Sequence, residues 1–157
     1  RYLRAAADID ASYAAAGLRL GYVAAPAGVI AAINPVQVGL GYEVNRPAQT
    51  AGLRGLARRE AIIPRLRQCY LAGLRAAEAE LKVPYLKAQG SYFLFLDLRE
   101  RWSGLDDAQK LERMLEAGVS LSPGEHFGEA YEGWARFCYT CETPDRIAEA
   151  ARRVRNL

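Results

Sequence analysis

Apolar positions in this chain repeat with two different periods, and the switches between them mark out the elements. Leu66, Cys69, Tyr70, Leu74, Ala77 and Leu81 fall three or four residues apart, which predicts one face of a long helix. Ala51, Leu53, Leu56 and Ala57 give a second such stripe, opened by Pro47 as a first-turn proline. Pro64 separates the two stripes, because proline lacks a backbone N–H and crowds the preceding turn. The run SYFLFLDL after Gly90 is short, continuous and aromatic, and predicts a buried strand. WARFCY at 134–139 predicts another strand, and residues 119–122 a shorter one running into Pro123-Gly124. Asp106 and Asp107 open a helix over 108–116 that Gly118 terminates. Thr143-Pro144-Asp145 opens the last helix, over 145–154.

The first third of the chain has a weaker pattern. Residues 2–9 read as a strand and turn, and residues 18–25 alternate between Gly17 and Pro26 as a strand does. A short helix over 27–33 is expected to stop at Asn34-Pro35, since the residue before proline resists helical dihedrals. Residues 36–45, with two glycines and no period, read as an irregular loop. The order of elements predicts an α/β protein whose C-terminal part is a sandwich of helices over one small sheet.

Composition narrows the function. The chain has 157 residues, is 51% hydrophobic and 25% charged, and carries a formal charge of +3. That balance belongs to a globular domain, and its weak mixed charge gives no basic footprint for nucleic acid. No apolar run has the length of a membrane span and no signal-peptide layout opens the chain, so a cytoplasmic location is expected.

Few residues carry candidate chemistry. Cys138 and Cys141 form a CxxC, but zinc would need two more ligands and the remaining candidates are Cys69 and His126. The three cysteines therefore read as reduced, buried small hydrophobes, and His126 as a loop residue near a pocket. Tyr22, Tyr92 and Phe93 read as core aromatics. Arg19 and Arg136 differ, because each interrupts an apolar strand. A guanidinium at an inward-facing strand position, as both are expected to be, needs an anion, from an internal carboxylate or from a ligand held in bidentate fashion. Two such arginines suit a ligand with two anionic ends.

AGLRLGY, the long proline-interrupted helix, GSYFLFLDL, LSPGEHFG and GWARFCYT follow one another as in the C-terminal portion of fold-type I aminotransferases. The chain resembles the class I/II branch of these pyridoxal 5′-phosphate enzymes, in style nearest to aminocyclopropane-carboxylate synthases, over essentially its whole length. The resemblance implies the end of the large cofactor domain at 1–35, a loop and connecting helix at 36–63, and the small α/β sandwich domain at 64–157. It also implies an amino-acid substrate, a keto-acid acceptor, a partnering N-terminal part and a homodimer. Counting six residues back from Gly17, Ala11 stands at the position of the Schiff-base lysine. Arg19 matches the arginine that holds the cofactor phosphate, and Arg136 the one that binds the substrate α-carboxylate. Asp8 and Asp10 stand where the family often has hydroxyls near the phosphate, Asp8 at the phosphate-facing step. Asn45 matches a loop position that reaches the neighbouring subunit's phosphate. Without the lysine amine, the chain as written is expected not to transaminate by the usual route; either the lysine was replaced or the activity was lost.

Overall fold

A computed structural model describes residues 13–157 and the backbone of residues 5–8. Ala11 and Asp10 lie outside the described residues. The chain forms two compact units, residues 1–67 and 68–157.

In the first unit, β1 (Ala5–Asp8) pairs antiparallel with β2 (Gly21–Ala24), in a register running from Ala5 opposite Ala24 to Asp8 opposite Gly21. The strand predicted over 18–25 is therefore shorter. Among the described residues the ladder goes no further than Gly21, and the backbone before it turns instead. Residues Ala16–Leu18 form a 3-10 turn closed by the Leu18 N–H donating to the Ala15 carbonyl, 2.8 Å.

Helix α1 (Ala27–Gly41) overturns two expectations, since it runs through Pro35 and takes in most of the predicted loop. The proline removes one N–H, freeing a single carbonyl at Ala31, while the turns on either side keep their bonds. No residue of α1 is buried among the described residues, and Leu40 just inside its end is 83% exposed. Helix α2 (Arg46–Ala57) starts from Asn45, whose side-chain oxygen accepts the Ala48 N–H at 3.2 Å, with Pro47 in the first turn.

Helix α3 (Arg59–Glu80) also runs through its proline. The break expected at Pro64 falls at Arg58, which ends α2 in a non-helical conformation. Pro64 is the sixth residue of α3, so the helix loses the one N–H that would reach the Glu60 carbonyl, and the turns around it continue.

The second unit is built on a four-stranded antiparallel sheet, in the order β3 (Tyr85–Leu86), β4 (Phe93–Asp97), β6 (Trp134–Cys138), β5 (Ser122–Pro123). The short strand expected over 119–122 pairs only at its end, Ser122 opposite Arg136, and β3 was not anticipated. Side-chain alternation gives the sheet two faces. Leu94, Leu96, Ala135 and Phe137 point into the core, where Ala77 and Leu81, Met114 of α4 (Asp107–Ala117), and Ile147, Ala151 and Val154 of α5 (Pro144–Val154) join them. Fully burying each leucine contributes about 1.5–3 kcal/mol, and this single layer of contact fixes the sheet under its helices. The other face carries Phe93, Phe95, Trp134 and Arg136, all half-buried.

Local signals set the ends of α4. Asp106 accepts the Gln109 N–H at 2.9 Å and the Gln109 side chain accepts the Asp106 N–H at 3.0 Å, a reciprocal cap. Gly118 closes the helix with φ 65°, a left-handed turn that favours glycine.

Candidate active site

Arg136 lies on the sheet face opposite the core, which corrects the expectation that it points inward. Its neighbours in the ladder, Phe95 and Ser122, are one on each side. The Ser122 hydroxyl accepts a hydrogen bond from Nη2 at 3.2 Å. The guanidinium carbon stands 4.2 Å from the Phe93 ring centroid and 4.9 Å from that of Phe127. Two rings and one hydroxyl thus hold the fork flat. No carboxylate pairs with Arg136 among the described residues, so the internal ion pair that would have explained it is not there. A half-buried, oriented guanidinium with no carboxylate partner among the described residues is suited to a ligand carboxylate.

Phe127 is a site residue that the sequence does not reveal, and Phe93, which it offers as a substrate neighbour or a core aromatic, stands at the site. The uniformly apolar run favours a core place for Phe93, yet alternation with buried Leu94 and Leu96 puts it on the face that carries Arg136. Period-two counting outward from Arg136 across the ladder would have found it. Tyr22, likewise expected in the core, is 43% exposed.

The turn that brings Phe127 to the site begins at buried Gly124 (Gly124–Phe127, 3-10). A Cβ there would meet the Tyr131 carbonyl at 2.1 Å, so only glycine lets the two backbones approach. Lys110 of α4 is 4% exposed, and its ammonium forms an ion pair with Glu125 in this turn. The Glu125 hydrogen bond holds the Lys110 ammonium above its ordinary pKa against the opposing effect of burial. Burial works to raise the Glu125 carboxyl, but hydrogen bonds from Lys110 and the backbone, Gly133 included, outweigh it and hold the group below the usual carboxylate range.

The sign of each shift fixes the pH window in which the pair stabilises the fold. The lysine's contribution is full below its unfolded pKa and is lost as pH rises through the raised value. The carboxylate's is full above its unfolded pKa and is lost as pH falls through the lowered one. The stability difference between wild type and Glu125→Gln is therefore expected to plateau from about pH 5 to pH 10 and to shrink on both sides. With the Glu125 side chain 26% exposed, the plateau should be about 2 kcal/mol, less than a fully buried pair. Urea denaturation across pH measures it; a difference that grows below pH 4 contradicts it.

In the first unit, Arg19 is not within a strand. It follows the 3-10 turn with φ 49° and ψ 48°, a left-handed conformation that costs a non-glycine residue about 1 kcal/mol. Strain of this kind clusters at ligand-holding loops. The residue is exposed, and Nη1 donates to the Ala16 carbonyl at 3.3 Å. Asp8 stands opposite Gly21 in the ladder, two residues from Arg19. Asn45 is exposed, with its oxygen committed to the α2 cap.

The remaining candidates are given other roles. His126 is exposed in the 3-10 turn, and no cluster of metal-ligating side chains exists among the described residues. Cys69 and Cys141 are exposed and Cys138 is half-buried, so the thiols are not the buried hydrophobes expected. Cys141 is not an activated thiol: although the residue is exposed, desolvation of its sulfur, with Cys138 beside it, pushes the thiol up. Among the described residues no helix is long and apolar enough to cross a membrane.

Comparison with known proteins shows the family. The family "Aminotransferase class I and II" matches residues 12–154. LL-diaminopimelate aminotransferase of Maridesulfovibrio salexigens is 26% identical over 157 residues, covering 96% of this chain and 39% of the relative. Aspartate aminotransferase from Thermus thermophilus, solved with maleate, superposes with TM-score 0.71 at 28% identity, over 93% of this chain and 39% of that one. Kynurenine aminotransferase of Pyrococcus horikoshii, solved with PMP, gives TM-score 0.68 at 26% identity, over 89% and 36%. The chain spans about two fifths of the length of the curated relatives it matches.

Proposed function

The chain belongs to the class I and II aminotransferases, a family that depends on pyridoxal phosphate and acts on amino and keto acids, and from that premise we propose specific roles for its residues. It is a segment of an aminotransferase in which Arg136 receives the α-carboxylate of the amino acid and Arg19 holds the cofactor phosphate. The observation that carries this reading is the Arg136 fork, oriented by Ser122, Phe93 and Phe127 and unneutralised by any described carboxylate. Residues 1–35 are the end of the large domain, 36–63 the connecting segment and 64–157 the small domain. Asn45 and a homodimer partner complete the phosphate site, and the compartment is the cytoplasm.

The donor set fits the two anionic ends and not the covalent link. Pyridoxal phosphate supplies an electron sink for the bond broken at the substrate Cα. Arg136 orients that substrate by a bidentate grip, and Arg19 offsets the phosphate charge, while Asp8 subtracts from that offset. Ala11 has no amine to attach the cofactor or to carry a proton. That residue favours a second reading, in which the chain binds cofactor or substrate adduct without turnover. A narrower placement beside the aminocyclopropane-carboxylate synthases, with a lyase or cyclase outcome, is supported by motif style.

The test compares N-(5′-phosphopyridoxyl)-L-alanine with pyridoxamine phosphate, which lacks the carboxylate, by calorimetry on the chain. The first is expected to bind about tenfold tighter, the worth of one charge-assisted contact. Equal affinities, or no binding of either, sink the proposal. Introducing Ala11→Lys in a polypeptide of the relatives' length is expected to give the visible band of lysine-bound cofactor. A native coding sequence with alanine at 11, and no band after the replacement, decides for binding without turnover.

A further inference from the structure

Lys110 is the one charged residue buried among the described residues, and the proposed chemistry does not use it. A buried ion pair is a poor stabilising device, because an apolar pair of similar volume commonly does as well. Its value lies in fixing one arrangement, and the contacts here show which. The ammonium leaves α4 beneath the Trp102 ring, 6.0 Å from its centroid, and bonds Glu125. The same Glu125 oxygen accepts the Gly133 N–H at 3.4 Å, immediately before β6 begins. Asp107 gives the ammonium a second, exposed carboxylate at 3.4 Å. The other Glu125 oxygen and the Trp102 Nε1 are buried without hydrogen-bond partners. The pair therefore joins α4, the Gly124–Phe127 turn and the start of β6 at one point.

β5 and the turn that follows it supply two of the three contacts that hold Arg136. Ser122 lies three residues before Glu125 and Phe127 two after it, and each touches the guanidinium. We propose that Lys110 and Glu125 are positioning residues for Arg136, their ion pair holding the turn in the one placement that keeps the Ser122 hydroxyl and Phe127 ring on the guanidinium. Neither residue touches a ligand. The inference rests on the reading of Arg136 as the carboxylate receiver, and it adds a requirement that this reading lacks.

Arginine Nε–Hε resonances in nitrogen-15 spectra test the placement directly, with Arg136→Lys identifying the Arg136 signal. In wild type the rings of Phe93 and Phe127 displace that signal from the free-arginine position. Lys110→Met is expected to remove about half of the displacement, the share of one ring of two. It is also expected to lower the carboxylate preference of the calorimetric pair about fivefold, whereas Lys110→Arg keeps both. Glu125→Gln, which preserves shape, serves if Lys110→Met does not fold. An unmoved Arg136 signal in either folded variant overturns the proposal. A signal that moves in a protein with no carboxylate preference leaves the positioning intact and overturns the carboxylate reading instead.

Discussion

Gly73→Ala is expected to destabilise the fold by about 3 kcal/mol, the upper range for overpacking, seen as a lower urea midpoint with unchanged slope. A Cβ at position 73 would stand 2.0 Å from the Tyr139 carbonyl oxygen, closer than side-chain carbons ever come. Neither partner is free to retreat. Gly73 is in the middle of α3, and Tyr139 is held by its N–H to Tyr92, 3.2 Å, and its hydroxyl to the Ser91 carbonyl, 2.8 Å. Moving that carbonyl would pull on the β4–β6 ladder beneath the core. Gly39→Ala is the control, since a Cβ there meets nothing within 4 Å and the helical backbone gains about 0.5–1 kcal/mol. Equal midpoints for the two variants would refute the close-approach account.

Arg136→Lys is the second large effect. The charge survives, but the planar fork and its stacking between Phe93 and Phe127 are lost, so the substitution is not conservative at this site. Affinity for the phosphopyridoxyl-alanine adduct is expected to fall about tenfold, or about 1.4 kcal/mol, which removes its preference, while pyridoxamine phosphate binds as before. An equal loss for both ligands would show that Arg136 supports the protein and not the carboxylate.

These two sites differ in how far the sequence reveals them. Arg136 stands out in WARFCY because a charge inside an apolar run demands an explanation, and its strand is fixed by alternation. The clamp around it was not legible, because Phe127 arrives through a turn and Ser122 through a two-residue strand. Non-local register of that kind leaves no periodic trace. Asp106 and Gly118 mark α4 correctly because capping is a local reaction to local residues. Pro35 and Pro64 mislead for the opposite reason. A single proline removes one hydrogen bond, and the cooperative helix around it bears that loss. Arg19 was legible as a residue and misplaced as a conformation, since alternation in LRLGYVAA hides the left-handed turn that precedes β2. Gly73 reads as a weak helix residue until the strand it touches is known.

The central place of β6 in its sheet has a consequence for biosynthesis. β6 pairs with β4 on one side and β5 on the other, and both of those are earlier in the chain. During translation, β4 and β5 emerge with unsatisfied ladder edges and an uncovered Leu94–Leu96 face, and neither can close on the other. The second unit is therefore a nascent-chain hazard until residues 134–138 clear the ribosome. The strand that carries Arg136 is also the one whose arrival completes the sheet.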